Sequence, residues 1–257
     1  MKLYKAYAKV NIFLKITGKR GAYHEILSRF MKVEHLYDEL SFTPKEFEYF
    51  EIVGKFSCTT AQNTIYKAYE ALLEYTKSES LKKLMIKYAV NVNKNIPAFA
   101  GLGGGSSNAA TYLKMCNSAL HLGLSLKELA DIGLKVGADV PFFIYGYESA
   151  NVSGIGEIVE EFKEPLLVFD VYTPKIEIST PKVYVSYRDN FYNPIGDAKA
   201  DELKVTSSLQ ILNTLTPKEA NDLFAPALKE YKLLQSHHKE GYFFSGSGSS
   251  FFKIKES

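Results

Sequence analysis

Apolar residues recur along this chain in two rhythms, one that predicts strands and one that predicts helices. Leu3 to Ile16 is rich in β-branched and aromatic residues and predicts one or two strands. Gly18 to Ala22 predicts a basic turn, and Glu25 to Phe42 predicts further strands with a turn near Tyr37-Asp38. Phe47 to Val53 is another strand candidate. The rhythm changes at Asn63: Ile65, Ala68, Tyr69, Leu72 and Leu73 fall at helical spacing as far as Thr76. Met85 to Val92 returns to strand, and Asn108 to Leu120 is a helix rich in Ala, Leu and Met. Ser125-Leu126-Lys127-Glu128 is a capping box that opens a helix reaching about Val136 and stopping at Gly137. Tyr147 to Val159 alternates around Gly154 and Gly156 and predicts a hairpin, and Leu166 to Tyr172 a buried strand. Ser179-Thr180-Pro181 reads as a helix start, and Thr216-Pro217-Lys218-Glu219 as another that is also a capping box. A last helix is expected over Pro226 to Lys239, and closing strands over Tyr242 to Phe244 and Ser250 to Lys255. The S-G-S-G-S between those strands is explained by a tight hairpin.

One stretch exceeds what a turn requires. From Pro97 the chain reads P-A-F-A-G-L-G-G-G-S-S, that is Pro97, Ala98, Phe99, Ala100, Gly101, Leu102, Gly103, Gly104, Gly105, Ser106 and Ser107. It lies where a predicted strand hands over to a helix N-terminus, whose unpaired N–H groups suit a phosphate. Glycines there remove the Cβ atoms that would block a close approach. A Walker A loop would end in Gly-Lys-Ser/Thr, and no Lys follows these glycines. A dinucleotide fingerprint would need Gly where Ser106 stands.

Composition narrows the class. The formal net charge of +2 over 257 residues leaves no nucleic-acid or membrane footprint, and a 46% hydrophobic content supports a full core. No long apolar run suggests a membrane span, and the N-terminus lacks the apolar core of a signal peptide. Cys58 and Cys116 are isolated, so neither a disulfide framework nor a zinc site is indicated and a reducing cytoplasm is the expected home. His237-His238 invites a metal reading, but neighbours on a helix face different ways, and solvated surface is the expectation. Two charged residues stand out by context. Lys9 lies among Ala8, Val10 and Ile12 and shares a strand face with Asn11. Asp139 sits between a helix end and an apolar run, either capping a turn before Pro141 or held as a carboxylate at the floor of a cleft.

In order, the chain shows A-K-V-N, Y-H, N-T, G-L-G-G-G-S-S-N-A-A, G-A-D-V-P-F-F, G-I-G-E, T-P-K-V-Y, N-D-L-F and S-G-S-G-S. This series resembles the GHMP family of small-molecule kinases, in the branch that phosphorylates a cytidine-diphosphate-linked methylerythritol on the non-mevalonate isoprenoid route. The resemblance implies an α+β fold of two domains. The first, over residues 1–160, would be ribosomal-protein-S5-like and bind nucleotide; a smaller α+β domain would cover 161–257, with the active site in the cleft between them. It implies ATP as phosphoryl donor and Mg²⁺ as its metal. Asp139 matches the catalytic aspartate that takes or orients the hydroxyl proton, and Lys9 the catalytic lysine that stabilises developing alkoxide charge and the transferred phosphoryl. Asn11 would hold the erythritol hydroxyls. Tyr23 and Tyr184 match two positions that stack on the cytosine, and His24 the residue that reads its edge. Thr180 would touch the substrate or merely cap its helix.

On the nucleotide side, Asn63 and Thr64 match an adenine-facing segment, and Lys94 a residue near base and ribose. Pro97 to Ser107 would wrap the triphosphate through backbone amides, with Ser106 offering its hydroxyl to Mg²⁺. Departures from the family's pattern are Gly21-Ala22 in place of Asp-Gly before the Tyr-His pair, Phe99-Ala100 where more glycine is usual, and Tyr184 where Phe is frequent. The implied partner is the small cytidyl substrate, with no nucleic acid or membrane, and the chain would be a monomer or weak homodimer. Two other readings stand beside this one. A homoserine or mevalonate type of kinase would not need Tyr23-His24 with Tyr184. A non-catalytic nucleotide-binding module would have no use for Lys9 with Asp139.

Overall fold

Two long strands carry much of the architecture. In a computed structural model that describes residues 2–46 and 48–255, β1 spans Tyr4–Arg20 and β2 spans Tyr23–Pro44. They pair with each other around a short turn at Gly21-Ala22, so the expected basic turn contracts to its last residues. The expected turn near Tyr37-Asp38 is absent: β2 runs straight through, and Asp38 is wholly buried within it. Two compact units share these strands along the chain. The first contains the residues up to Ala8, Glu34–Ile96 and Gly104–Gly146; the second contains Lys9–Val33, Pro97–Gly103 and the chain from Tyr147 on.

In the first unit, the later part of β2 pairs antiparallel with β4 (Tyr88–Asn93), from Glu39 opposite Asn93 to Pro44 opposite Tyr88. β3 shrinks to Ile52–Val53 beside β4; Phe47, where that strand was expected to start, lies outside the described residues. Helix α1 covers Thr64–Thr76 and buries Ile65, Ala68, Ala71 and Leu72, the stripe its periodicity predicts. A second helix, α2 (Glu79–Lys87), takes up Met85, so the following strand begins only at Tyr88. Helix α3 spans Gly104–Ala119 and thus starts inside the glycine run, four residues before the expected Asn108. The capping box at Ser125 forms and opens α4 (Leu126–Leu134), and α5 (Val140–Tyr145) follows. Helices α1, α3, α4 and α5 pack on one another around Leu72, Leu113, Leu129 and Ile144.

In the second unit, the earlier part of β2 pairs antiparallel with β5 (Ser149–Gly154), and β5 with β6 (Ile158–Glu161), the expected hairpin. A separate small sheet joins β7 (Phe169–Tyr172), β8 (Phe243–Phe244) and β9 (Phe251–Ile254) in the order β7-β9-β8. Helix α6 (Thr180–Asn190) packs on α10 (Phe224–Glu230); between them come α7 (Asp197–Val205), α8 (Ser208–Thr214) and α9 (Pro217–Ala220). The single helix expected over Pro226 to Lys239 is instead α10 and a 3₁₀ segment, Lys232–His237, broken at Tyr231. The core here joins Leu14, Ile16, Ile26, Val183, Phe224 and Phe251. Arg29 is fully buried on β2, with its guanidinium 3.4 Å above the Phe162 ring and donating to the carbonyls of Leu203 and Lys204, which fixes the end of α7. Burial pushes its pKa down to about 10.

Candidate active site

In the second unit, β1 brings a lysine onto the glycine loop. Lys9 is 3% exposed; its backbone N–H donates to the carbonyl of Leu102 (3.0 Å), and its ammonium donates to the carbonyl of Gly101 (3.0 Å) and the side-chain oxygen of Asn11 (2.6 Å). The same ammonium lies 4.5 Å from the centre of the Phe30 ring. A buried ammonium needs such partners, because stripping its water is costly. Alternation puts Asn11 on the same face, and its amide donates to Ser28 Oγ at 2.9 Å. Lys9 and Asn11 therefore share one strand face, as their spacing predicted, and on it they form one buried polar network.

The loop itself is held by the closing hairpin. Ser245 Oγ donates to Gly101 O (3.0 Å), and Ser250 N donates to Ala100 O (3.0 Å). A Cβ on Gly101 would lie 2.1 Å from the Ser245 carbonyl oxygen, so only glycine allows the two backbones to approach this closely. Ala100 and Leu102 are buried, whereas Pro97, Ala98 and Phe99 are exposed and Phe99 has φ +53. Asn221 clamps the hairpin, donating to the carbonyls of Phe244 (2.8 Å) and Gly246 (2.9 Å). Ser245 and Asn221 are site-shaping residues that sequence reasoning passed over. The S-G-S-G-S repeat was the available signal, but it had a sufficient explanation as a hairpin.

An aromatic cluster surrounds His24 in the same unit. Its ring stacks on Tyr184, with centroids 5.4 Å apart and 29° between planes, and meets Tyr187 edge-on at 5.7 Å. Tyr192 stands 6.3 Å away. His24 Nε2 is buried and has no hydrogen-bond partner. Burial, reinforced by the charges of Lys19 and Arg188, lowers the His24 pKa, so the neutral imidazole is favoured. Tyr23 is 67% exposed at the start of β2. Thr180 is the first residue of α6, and its hydroxyl shares a 2.6 Å hydrogen bond with Ser247 Oγ, while Ser179 holds the N-cap position.

The first unit holds the remaining expected residues. Asn63 caps α1, its side-chain oxygen accepting from Ile65 N–H at 3.0 Å. Thr64 Oγ1 donates to the carbonyl of Gly105 at 2.7 Å, tying α1 to the first turn of α3. A Cβ on Gly104 would meet the Ile96 side chain at 2.8 Å and stand 3.5 Å from Lys94 Nζ. Ser106 Oγ lies 3.6 Å from where a Cβ on Gly137 would sit, so this hydroxyl and the turn leading to Asp139 are neighbours. Ser107 is buried in the same turn of α3. Asp139 occupies the N-cap position of α5 but makes no side-chain capping bond there; its backbone is helical (φ −83, ψ −12) and it is half-buried. Capping does not account for its position.

Among the described residues, no three His, Cys, Asp or Glu side chains cluster as a metal site, and no helix is long and apolar enough to cross a membrane. His237 Nδ1 and the Tyr172 hydroxyl share a hydrogen bond of 2.7 Å.

Comparison with known proteins agrees with the motif series. A family model described as the GHMP kinases N terminal domain matches residues 63–147. The chain is 68% identical to a 4-diphosphocytidyl-2-C-methyl-D-erythritol kinase of Sulfurimonas denitrificans, over 100% of this chain and 98% of that protein. It is 45% identical to the protein of the same description from Sulfurovum sp., over 98% of each. A crystal structure described as 4-(cytidine 5'-diphospho)-2C-methyl-D-erythritol kinase superposes with a TM-score of 0.76 at 27% identity, covering 99% of this chain and 90% of that one. A mevalonate kinase from L. major shares the fold, with a TM-score of 0.66 at 16% identity over 100% of this chain and 88% of that one. With its mixed α+β architecture and near full-length identity to these enzymes, the chain belongs to the GHMP kinase family of ATP-dependent small-molecule kinases, in the group of 4-diphosphocytidyl-2-C-methyl-D-erythritol kinases.

Proposed function

We propose that this chain transfers the terminal phosphoryl group of ATP to the 2-hydroxyl of 4-diphosphocytidyl-2-C-methyl-D-erythritol. The observation that carries the reading is the lysine built onto the glycine loop: Lys9 is bound to that loop through both its backbone and its ammonium. Phosphoryl transfer asks for positioned charge rather than covalent help, and a buried, hydrogen-bonded ammonium is such a charge. Asp139, unused as a cap, takes or orients the hydroxyl proton, and Lys9 stabilises developing negative charge. Asn11 holds the erythritol hydroxyls, and Thr180 adds a contact to the substrate. Tyr23 and Tyr184 stack on the cytosine, while His24 Nε2, buried without a partner, reads its edge.

For ATP, the fit rests on where the glycines fall: Gly104 and Gly105 open α3, whose first N–H groups have no acceptor within the helix. The amides of Pro97 to Ser107 bind the phosphates, with Asn63, Thr64 and Lys94 on the rest of the nucleotide. The Ser106 hydroxyl is the group on this stretch that suits Mg²⁺, which when bound neutralises phosphate charge. The division at residue 160 into a nucleotide part and a smaller second part belongs to this proposal. All the nucleotide residues named fall before it, and Thr180 and Tyr184 after. The chain acts in the cytoplasm as a monomer or weak homodimer.

The test is ATP consumption by the purified chain, offered the cytidyl substrate, homoserine and mevalonate in parallel. Turnover is expected with the first alone. Preference for homoserine or mevalonate would overturn the substrate assignment, and failure to consume ATP with any of the three would leave a binding module.

A further inference from the structure

We propose that Asp38 is a positioning residue for the nucleotide: it fixes the Lys94 ammonium and the turn that launches the glycine loop. The proposal rests on the reading that Lys94 meets ATP. The β2–β4 ladder ends where Glu39 faces Asn93, and Asp38 is the next residue on β2. Its side chain continues the pairing that the backbone gives up. Oδ1 accepts from the N–H groups of Asn95 (2.7 Å) and Ile96 (2.8 Å), and Oδ2 pairs with Lys94 Nζ. Asn95 Nδ2 donates to the Tyr37 carbonyl at 2.9 Å, so the turn is fastened at a second point.

Strand closure alone does not call for this arrangement. A carboxylate at 0% exposure has lost all its water, and the two backbone donors could be met by a neutral amide without that cost. What only a carboxylate supplies is a charge to hold the ammonium. The Lys94 side chain is 16% exposed, and its ammonium stands 3.5 Å from the Cβ position of Gly104. A lysine side chain is a flexible four-carbon stem, so left alone its ammonium would sample water. Asp38 confines it beside the first glycine of α3.

Asp38→Asn separates the two duties, since the amide oxygen can still accept from Asn95 and Ile96 while the negative charge that holds Lys94 is lost. The readouts are calorimetric binding of ATP alone, the two Michaelis constants and the melting temperature. Asp38→Asn is expected to weaken ATP binding and raise the KM for ATP about tenfold, as loss of one member of a charge network does. The KM for the cytidyl substrate and the melting temperature should stay near wild type. Lys94→Met should weaken ATP binding to the same degree, and the double variant should be no worse than either single one. Unchanged ATP binding in Asp38→Asn would overturn the proposal, as would additive losses in the double variant. A parallel rise in both Michaelis constants with a lowered melting temperature would also overturn it, by showing a purely structural role. If the wild type binds ATP but ignores the cytidyl substrate, the substrate assignment fails while the ATP-binding arm still decides the role of Asp38.

Discussion

Gly101→Ala is the sharpest perturbation of the proposed chemistry. The residue has φ +72, and an added methyl group would sit 2.1 Å from the Ser245 carbonyl oxygen, 3.0 Å from its carbon and 3.1 Å from Gly248 N. All three are backbone atoms, so no rotamer change relieves the contact. Holding alanine in the left-handed region costs about 1–2 kcal/mol even before the collision is counted. Removing the collision requires the loop and the hairpin to part by about 1 Å, a displacement that can lower turnover about a hundredfold once it reaches a reacting group. It would reach the proposed catalytic lysine, because the Gly101 carbonyl is the acceptor for the Lys9 ammonium and for Ser245 Oγ. Steady-state ADP release should therefore show kcat down about a hundredfold, with the urea midpoint lowered. Ser245→Ala, which removes a hydroxyl but leaves the backbone in place, should lose far less. A Gly101→Ala enzyme with unchanged kcat would refute the claim that this carbonyl sets the lysine.

Three further outcomes follow from the site. Asp139→Ala should still bind the cytidyl substrate by calorimetry yet turn over about a hundredfold or more slowly, the usual weight of a positioned acid–base group; wild-type turnover would remove Asp139 from the chemistry. Tyr184→Ala should raise the KM for the cytidyl substrate roughly two- to tenfold, the worth of one aromatic stack, and an unchanged KM would end the stacking role. His24 has its pKa lowered from 6.5, so below that value the unfolded chain binds a proton that the folded chain resists. Its contribution to stability is thus complete above pH 6.5 and declines as pH falls through 6.5 toward the folded value; kcat/KM for the cytidyl substrate should hold level down to pH 6.5, and a break above it, absent in His24→Gln, would contradict the neutral imidazole.

What the sequence disclosed was what neighbours along the chain decide among themselves. The capping boxes at Ser125 and Thr216 form as written, because each is complete within four residues. The shared face of Lys9 and Asn11 followed from strand alternation alone. Helix α2 was hidden because only Leu81 and Met85 of its nine residues are buried, and Met85-Ile86 looked like the start of the next strand. Helix α7 buries only Ala200 and Leu203, too few for a period to show. Asp38 misled for another reason. A polar residue amid apolar ones suggests a turn when its partners cannot be seen, and Lys94 lies 56 positions further on. The 3₁₀ break at Tyr231 has no local signal that we can name: the residues on either side would continue a helix, and the chain turns there without Pro or Gly.

The same distance explains why the two glycine-rich segments looked like separate features. Each was accounted for alone, one as a phosphate loop and the other as a hairpin, yet neither accounts for the number of glycines by itself. Gly246 has φ +58, and a Cβ there would meet the Gly101 carbonyl at 3.2 Å and Asn11 Oδ1 at 3.3 Å. Gly101 in turn admits the Ser245 carbonyl. The segments are glycine-rich together because each is the surface against which the other packs, backbone on backbone, with Asn11 between. A glycine loop held in this way does not rely on a ligand for its shape. The hairpin supplies the rigidity that a run of glycines lacks, and Asn221, through its bonds to the Phe244 and Gly246 carbonyls, passes it on from α9 and α10. The C-terminal hairpin, read alone as a tight turn, is in this sense part of the glycine loop.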